Sequence, residues 1–406
     1  MRTILILEDD DERISAFQKT VATLGADLEL KVWYNVPSMV AEAEEFFPTA
    51  ALISLDHDLN PKPGMTVEPG TGVDASRFLG DFMPVCPVLI HSSNTDRVYS
   101  MHNELRFAGW MVARVGPLGT DWIETSWLRR ARELLAHHPN TWSANLPSDH
   151  PTRVERMRLS LAGLGLGDAL GEMLSYQAHT APRRLVEHNL PAGPWFHTDD
   201  TEMAISIVAV LKSHGYLHQD ALAKRFARRF ERDPERGYGK MTRIQMREIM
   251  AGAKWRETAA DAFGGQGSMG NGSAMRVAPL GAYFADDPER CAKEARASDT
   301  VLRHTPESQV RRGILLASTT PPETPVTEVA RALGNGSLVT APDTVPFCIW
   351  MAAHHPRHFV EAIAKTISVS GDCDTNAAIV GGIVALSAGR DSIPADWLKA
   401  REPIQI

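Results

Sequence analysis

The sequence predicts two domains of different class: a doubly wound α/β domain over residues 1–138, a linker over 139–153 and an all-α domain over 154–406. Three observations carry this. In the first third, short β-branched or leucine-rich runs alternate with helical patterns. Around 137–153 the string HHPNTWSANLPSDHPTR loses periodicity and gathers Pro, Asn, Ser and Asp, which is loop composition. Beyond it strand-like runs nearly vanish and alanine- and leucine-rich segments take over. A chain of 406 residues with 43% hydrophobic content suits two cores better than one.

In order, TILIL (3–7), LELKVWY (28–34), AALISL (50–55), PVLIHS (87–92) and MVARV (111–115) read as five parallel strands, with helices over 11–24 and 38–46 between the first three. The second half reads as helices over 154–177, 201–214, 221–230, 243–260, 274–284, 306–318, 356–368 and 375–387, with no repeat of fixed period. The mixed-sign run KRFARRFERDPERGYGK (224–240) reads as a solvated helix face followed by a loop.

The formal net charge of -8 gives no electrostatic reason to expect nucleic acid or an anionic membrane surface as partner. Cys86, Cys291, Cys348 and Cys373 are scattered, form no CxxC pair and follow an opening MRTILILEDD without a signal-like apolar run, so a reducing cytoplasmic setting is expected. The longest apolar run, AAIVGGIVALSA, has about a dozen residues where a membrane span needs about 20. The histidine pairs at His137 and His354 are followed closely by proline, which breaks the helical spacing a ligand pair would use.

Two stretches put carboxylates at the mouths of apolar helices: HTDDTEMAISIVAVL, with Thr198, Asp199, Asp200 and Thr201, and GDCDTNAAIVGGIVAL, with Asp372, Asp374 and Thr375. Capping explains one such residue per helix, through oxygens that accept orphan N–H groups. Four carboxylates beside apolar helices are costly unless a cation neutralises them, and oxygen-only donors suit a hard divalent ion such as Mg2+, Ca2+ or Mn2+ rather than zinc. Gly381 and Gly382 inside the second helix each cost about 1 kcal/mol relative to Ala, so something approaches closely there. The glycine-rich GGQGSMGNGSAMR before a helical segment reads either as a loop whose N–H groups hold phosphate or ribose oxygens, or as a plain turn.

Four motifs in order, GLGDALG (165–171), TDDT (198–201), GSMGNGSAMR (267–276) and GDCDTN (371–376), resemble the ADP-ribosylglycohydrolase family over about 156–388. The resemblance implies an all-α fold, two Mg2+ ions with Mn2+ as the alternative, and hydrolysis at C1'' of ADP-ribose. By it Thr198, Asp199, Asp200, Asp372, Asp374 and Thr375 would hold metal, while Asp168, Ser268, Gly270, Asn271, Gly272 and His304 would bind substrate. One departure stands out: many members carry a glutamate seven residues after the aspartate of GDALG, where this chain has Ser175. Glu172, three residues earlier and on roughly the same helix face, reads either as the substitute acid or as a surface glutamate. Asp200 or Asp374 would deprotonate the attacking water, and carboxylates would favour an oxocarbenium-like transition state.

The first half places Glu8, Asp9 and Asp10 after one strand and Asp56 and Asp58 after another, at the carboxyl ends where doubly wound sheets bind ligands. That is receiver-domain geometry without the receiver lysine, since ARVGPLG offers Gly116 before Pro117. LEDD, SLDHDL and IHSSN resemble the cyclic-phosphate-processing receiver-like family over about 1–138, a flavodoxin-like fold. The resemblance implies a metal-dependent phosphoesterase site of Asp9, Asp10, Asp56, His57, Asp58, His91 and Asn94. The combined expectation is a two-domain hydrolase of ADP-ribose derivatives, with ADP-ribosyl-arginine on protein as first substrate. Serine, nucleobase and phosphate linkages are the alternatives within that class; a non-catalytic ADP-ribose reader and a signalling protein controlled by its receiver-like half are the alternatives outside it.

Overall fold

The structure is a computed structural model and describes residues 1–62, 68–80, 82–141, 146–302 and 307–405. The chain divides into two compact units, Met1–Pro147 and Ser148–Ile406. All four cysteines are free thiols, and among the described residues no helix is long and apolar enough to cross a membrane.

The first unit runs β1 (Arg2–Leu7), α1 (Asp11–Ala22), β2 (Leu28–Trp33), α2 (Val36–Phe46), β3 (Ala50–Leu55), α3 (Gly72–Leu79), β4 (Val88–His91), α4 (Thr95–Phe107), β5 (Val112–Val115), a π-helical turn at Ile123–Trp127 and α5 (Leu128–His137). The strands are parallel in the order β2-β1-β3-β4-β5. Side chains alternate across a strand, so β1 sends Leu5 and Leu7 to the core shared with α2, α3 and α4, and Ile4 and Ile6 to the core shared with α1 and α5. Both faces are therefore covered, which is why these strands read as continuous apolar runs. The order reverses beside β1, so the crevice of such a sheet opens beyond the ends of β1 and β3.

The second unit is helical: α6 (His150–Leu174), α7 (Ala181–Val186), α8 (Asp199–His214), α9 (Gln219–Arg232), α10 (Lys240–Met250), α11 (Trp255–Asp261), α12 (Ala278–Tyr283), α13 (Pro288–Thr300), α14 (Glu307–Thr319), α15 (Val326–Leu333), α16 (Ala341–His354), α17 (Phe359–Ser368), α18 (Cys373–Ala388) and α19 (Ala395–Ala400). The predicted helix over 243–260 is two helices, because Gly252 at φ 96° breaks the run. Helices α7, α13, α15, α16 and α19 are additions. The polar PERCAKEARASDT of α13 holds few large apolar residues, and α16 carries Pro342 and Pro346, residues that ordinarily begin or kink a helix; Gly313 leaves room for the Pro346 ring.

Helices α6 and α18 cross at the centre, and the 163–171 stretch of α6 and most of α18 are buried on nearly every side, where the sequence is almost wholly apolar. The crossing is made of glycine. A Cβ on Gly163 would overlap Gly381 O, one on Gly167 would overlap Ala377 O, and one on Gly171 would overlap Cys373 O. What approaches Gly381 and Gly382 is thus helix α6, not a ligand: Gly382 faces Leu164 and Ala278. The buried apolar residues fall into two cores to which α6 and α18 both contribute.

Candidate functional site

In the second unit the starts of α8 and α18 open on one cleft of about 480 Å3, whose lining includes Asp199, Asp200, Asp372, Asp374 and Thr375. Thr198 caps α8 by accepting from Asp200 N, so the aspartates after it are not needed as caps. Asp372 occupies the cap position of α18 yet makes no capping hydrogen bond. Instead it accepts from Asn271 Nδ2 at 2.6 Å. Capping therefore leaves Asp199, Asp200, Asp372 and Asp374 unexplained.

Asp168 does not line this cleft. It is fully buried on α6, and its two oxygens accept from Thr198 N, Thr198 Oγ1, Thr201 N and Thr201 Oγ1. The substrate-binding role expected for Asp168 has no geometric support; its carboxylate orients the TDDT turn from behind. The Thr198 hydroxyl, which donates to Asp168 and accepts from Asp200 N, is not among the residues that line the cleft.

Burial, then the neighbouring aspartates, push the Asp199 and Asp200 carboxyls well above the ordinary carboxylate range. Burial, then Asp374, lifts Asp372 to about 7, and burial with Asp374 lifts Asp168 to about 6 against the hydrogen bond from Thr201. Asp200 Oδ1 is buried with no hydrogen-bond partner. An orphaned buried oxygen among mutually repelling carboxylates fits a hard divalent cation, which would supply the missing partner and relieve the repulsion.

Ser268, Gly270, Asn271 and Gly272 line the same cleft, with Phe263, Met275, Lys240 and Thr242 among the other walls. The loop is held by Asn271 N donating to Val339 O and Ala341 N donating to Met269 O. The Ser268 hydroxyl accepts from Gly270 N at 2.9 Å, which ties the loop to itself. Glu172 is exposed on the last turn of α6, outside the residues that line the cleft, next to Gly171, whose backbone abuts Asp374 Cα. Burial and then the Asp374 charge raise its pKa. Ser175, at the position expected to carry glutamate, donates its hydroxyl to Glu172 O. His304 lies outside the described residues. A larger groove of about 740 Å3 along α15 and the 334–343 loop contains none of these side chains, so volume alone does not mark the site.

The run 224–240 is not a simple solvated face. Glu202, 2% exposed, receives Arg229 Nη1 at 2.6 Å and Arg232 Nη2 at 3.1 Å, and Arg236 makes a bidentate pair with Glu402. These partners lie too far apart in sequence for local charge pattern to reveal them.

In the first unit one carboxylate oxygen from each of Glu8, Asp9 and Asp56 lies within 4.8 Å of the others, at the ends of β1 and β3. Glu8 was not among the expected site residues, whereas Asp10 was. Asp10 is exposed and caps α1 by accepting from Arg13 N; Glu8 is buried and accepts from the N–H groups of Asp9 and Asp10. Arg13 reaches Asp56 at 3.2 Å and Glu8 at 3.5 Å. Burial raises the Asp56 pKa, with His91 opposing and Glu8 adding to the shift. His91 is fully buried: Nδ1 meets Ser54 Oγ at 2.7 Å, while Nε2 stands 3.4 Å from Glu8 Oε2, out of line for a hydrogen bond. His57 Nε2 lies 3.7 Å from the exposed Asp58, and Asn94 caps α4 and donates to Asp58.

The ADP-ribosylglycohydrolase family model matches residues 149–315 and 296–405, more than half of the chain. The chain is 35% identical over 147 residues to ADP-ribosylhydrolase ARH3 of Xenopus tropicalis, covering 34% of this chain and 41% of that protein. It is 32% identical over 154 residues to ADP-ribosylhydrolase ARH3 of Homo sapiens, covering 32% and 40%. A longer match to ADP-ribosylhydrolase ARH3 of Danio rerio is 25% identical over 320 residues, covering 60% of this chain and 85% of the relative. The chain thus spans about two fifths of the length of the first two relatives. With the family model running through both acidic helix mouths and the glycine-rich loop between them, the chain belongs to the ADP-ribosylglycohydrolase family.

Proposed function

We propose that the chain is a metal-dependent hydrolase that releases ADP-ribose from a modified acceptor by cleavage at C1''. The observation that carries this is the meeting of two acidic helix mouths in one cleft, with carboxylates that capping does not use and an orphaned buried oxygen on Asp200. Thr198, Asp199, Asp200, Asp372, Asp374 and Thr375 would hold Mg2+, as two ions, with Mn2+ as the alternative. When bound, the ions supply Lewis acidity and orient ribose oxygens. Asn271 fixes Asp372, Asp168 fixes the TDDT turn, and the 268–272 loop offers backbone to ribose or phosphate oxygens. Asp200 or Asp374 accepts a proton from the attacking water. Glu172, with its raised pKa beside Asp374, suits the proton donor to the leaving group.

Protein ADP-ribosyl-arginine is the first substrate to test, with serine, nucleobase and phosphate linkages as further arms. The assay is release of ADP-ribose with Mg2+ and with EDTA. EDTA or Asp374→Ala abolishes release, and Glu172→Gln lowers kcat by about 10²–10⁴-fold, the usual worth of a general acid. Tight ADP-ribose binding without release from any of the four linkages would instead make the protein a reader.

For the first unit we propose a flavodoxin-like, receiver-like domain that opens a cyclic phosphate. The strand order 2-1-3-4-5 and the carboxylates beyond β1 and β3 support it. Glu8, Asp9 and Asp56 would hold the cation there. Loss of cyclic phosphodiester hydrolysis in Asp56→Asn tests this reading; equal hydrolysis by that variant sinks it.

A further inference from the structure

The turn that carries Asp199 and Asp200 is gripped from behind by residues outside the family's acidic motifs. Arg236 Nη1 donates to His197 O at 2.8 Å, and Asp199 N donates to Arg236 O at 2.7 Å, so one residue holds both neighbours of Thr198. The Arg236 guanidinium is fixed in turn by Glu402, through two hydrogen bonds of 2.6 and 2.7 Å. Glu402 lies on a C-terminal strap that returns past Trp195: Trp195 N donates to Ala400 O at 2.8 Å and Glu402 N to Trp195 O at 2.9 Å. The strap is pinned further along by Arg229 Nη2 donating to Gln405 O at 2.6 Å. The buried His197 ring stands between Glu202 Oε1 at 3.1 Å and Glu402 Oε2 at 3.3 Å.

We propose that Glu402 and Arg236 are positioning residues for divalent-cation binding: the C-terminal strap orients Arg236, and Arg236 holds the 197–200 turn in its cation-binding shape. The inference rests on the reading of Asp199 and Asp200 as cation ligands. A bidentate arginine–carboxylate pair fixes geometry as well as proximity, which a single point charge does not. Groups that orient ligands without touching the ion typically change affinity by about 10–100-fold when removed.

The test is a Mn2+ titration followed by electron paramagnetic resonance on the full chain carrying Glu8→Gln, Asp9→Asn and Asp56→Asn, so that the three carboxylates proposed to hold a cation in the first unit do not contribute. Glu402→Ala is expected to weaken Mn2+ binding about tenfold or more, and Glu402→Gln, which keeps an acceptor for one guanidinium N–H, to fall between. Asp286→Asn, which breaks the Arg153 and Arg156 pairs elsewhere in the same unit, serves as control and leaves Mn2+ affinity unchanged. Melting in EDTA separates positioning from folding. Weakened Mn2+ binding with a melting midpoint no lower than that of Asp286→Asn supports the proposal. Unchanged Mn2+ affinity in Glu402→Ala, or affinity that merely follows the melting midpoint across all three variants, overturns it. A parent chain that binds no Mn2+ overturns the cation reading itself, and the inference with it.

Discussion

Replacing Asp168 by asparagine separates an orienting role from a substrate contact. In the native chain one carboxylate accepts at 3.1 Å or less from four donors on two threonines, the Thr198 N–H being shared between both oxygens, and no part of it is exposed. Asparagine keeps one acceptor oxygen and turns an NH2 group toward the other donors. If the amide oxygen stays with Thr198, the NH2 group meets the Thr201 N–H and hydroxyl, and two charge-assisted bonds of about 1.5–3 kcal/mol each are lost. The Thr201 hydroxyl can rotate to accept, which favours the lower end, about 3 kcal/mol. If most of that appears at the turn, cation affinity falls by roughly 10²-fold. The measurement is ADP-ribose release against Mg2+ concentration, alongside melting in EDTA. The expected outcome is a Mg2+ requirement raised about 100-fold with an unchanged KM at saturating Mg2+. An unchanged Mg2+ requirement with a raised KM would show that Asp168 touches substrate and would refute the orienting role.

Two further outcomes follow from packing and titration. Gly167→Ala drives a Cβ into Ala377 O and should lower stability by about 1–3 kcal/mol or more, whereas Gly281→Ala, with nothing within 4 Å of the added carbon, should be neutral or stabilising; thermal melts of both decide it. His214 is 2% exposed, and burial, then His218, push its imidazole down to about 3, below the roughly 6.5 of the unfolded chain. The unfolded chain therefore takes the proton first, and stability falls as pH drops from about 6.5 toward 3, by about 2 kcal/mol between pH 7 and pH 5. Urea unfolding of wild type and His214→Asn should show their difference narrowing by that amount over this range; a constant difference sinks the account.

The strands were legible because a sheet buried on both faces leaves continuous apolar runs, as in AALISL. Helix α13 was not, because its polar sequence holds few large apolar residues. The acidic helix mouths stood out since each offers more carboxylates than a cap consumes, and the structure gathers them in one cleft. Direction was the missing quantity. Sequence placed Asp168 beside the motif but not behind it, and ranked Asp10 with Asp9 where burial favours Glu8. The Arg236–Glu402 pair spans 166 residues, a separation at which local pattern carries no signal.

Where α6 crosses α18, peptide group meets peptide group, and the spacing between the last turn of α6 and the acidic start of α18 is set by atomic radii rather than by side-chain fit. Exchange of neighbouring apolar side chains leaves that dimension alone. Phe263 and the 240–244 turn of α10, which also wall the cleft, hang from other elements and have no part in the crossing. On the proposed reading, acceptor preference can therefore drift by remodelling those walls while the acidic frame keeps its measure, so that chemistry and choice of substrate are free to evolve on separate clocks.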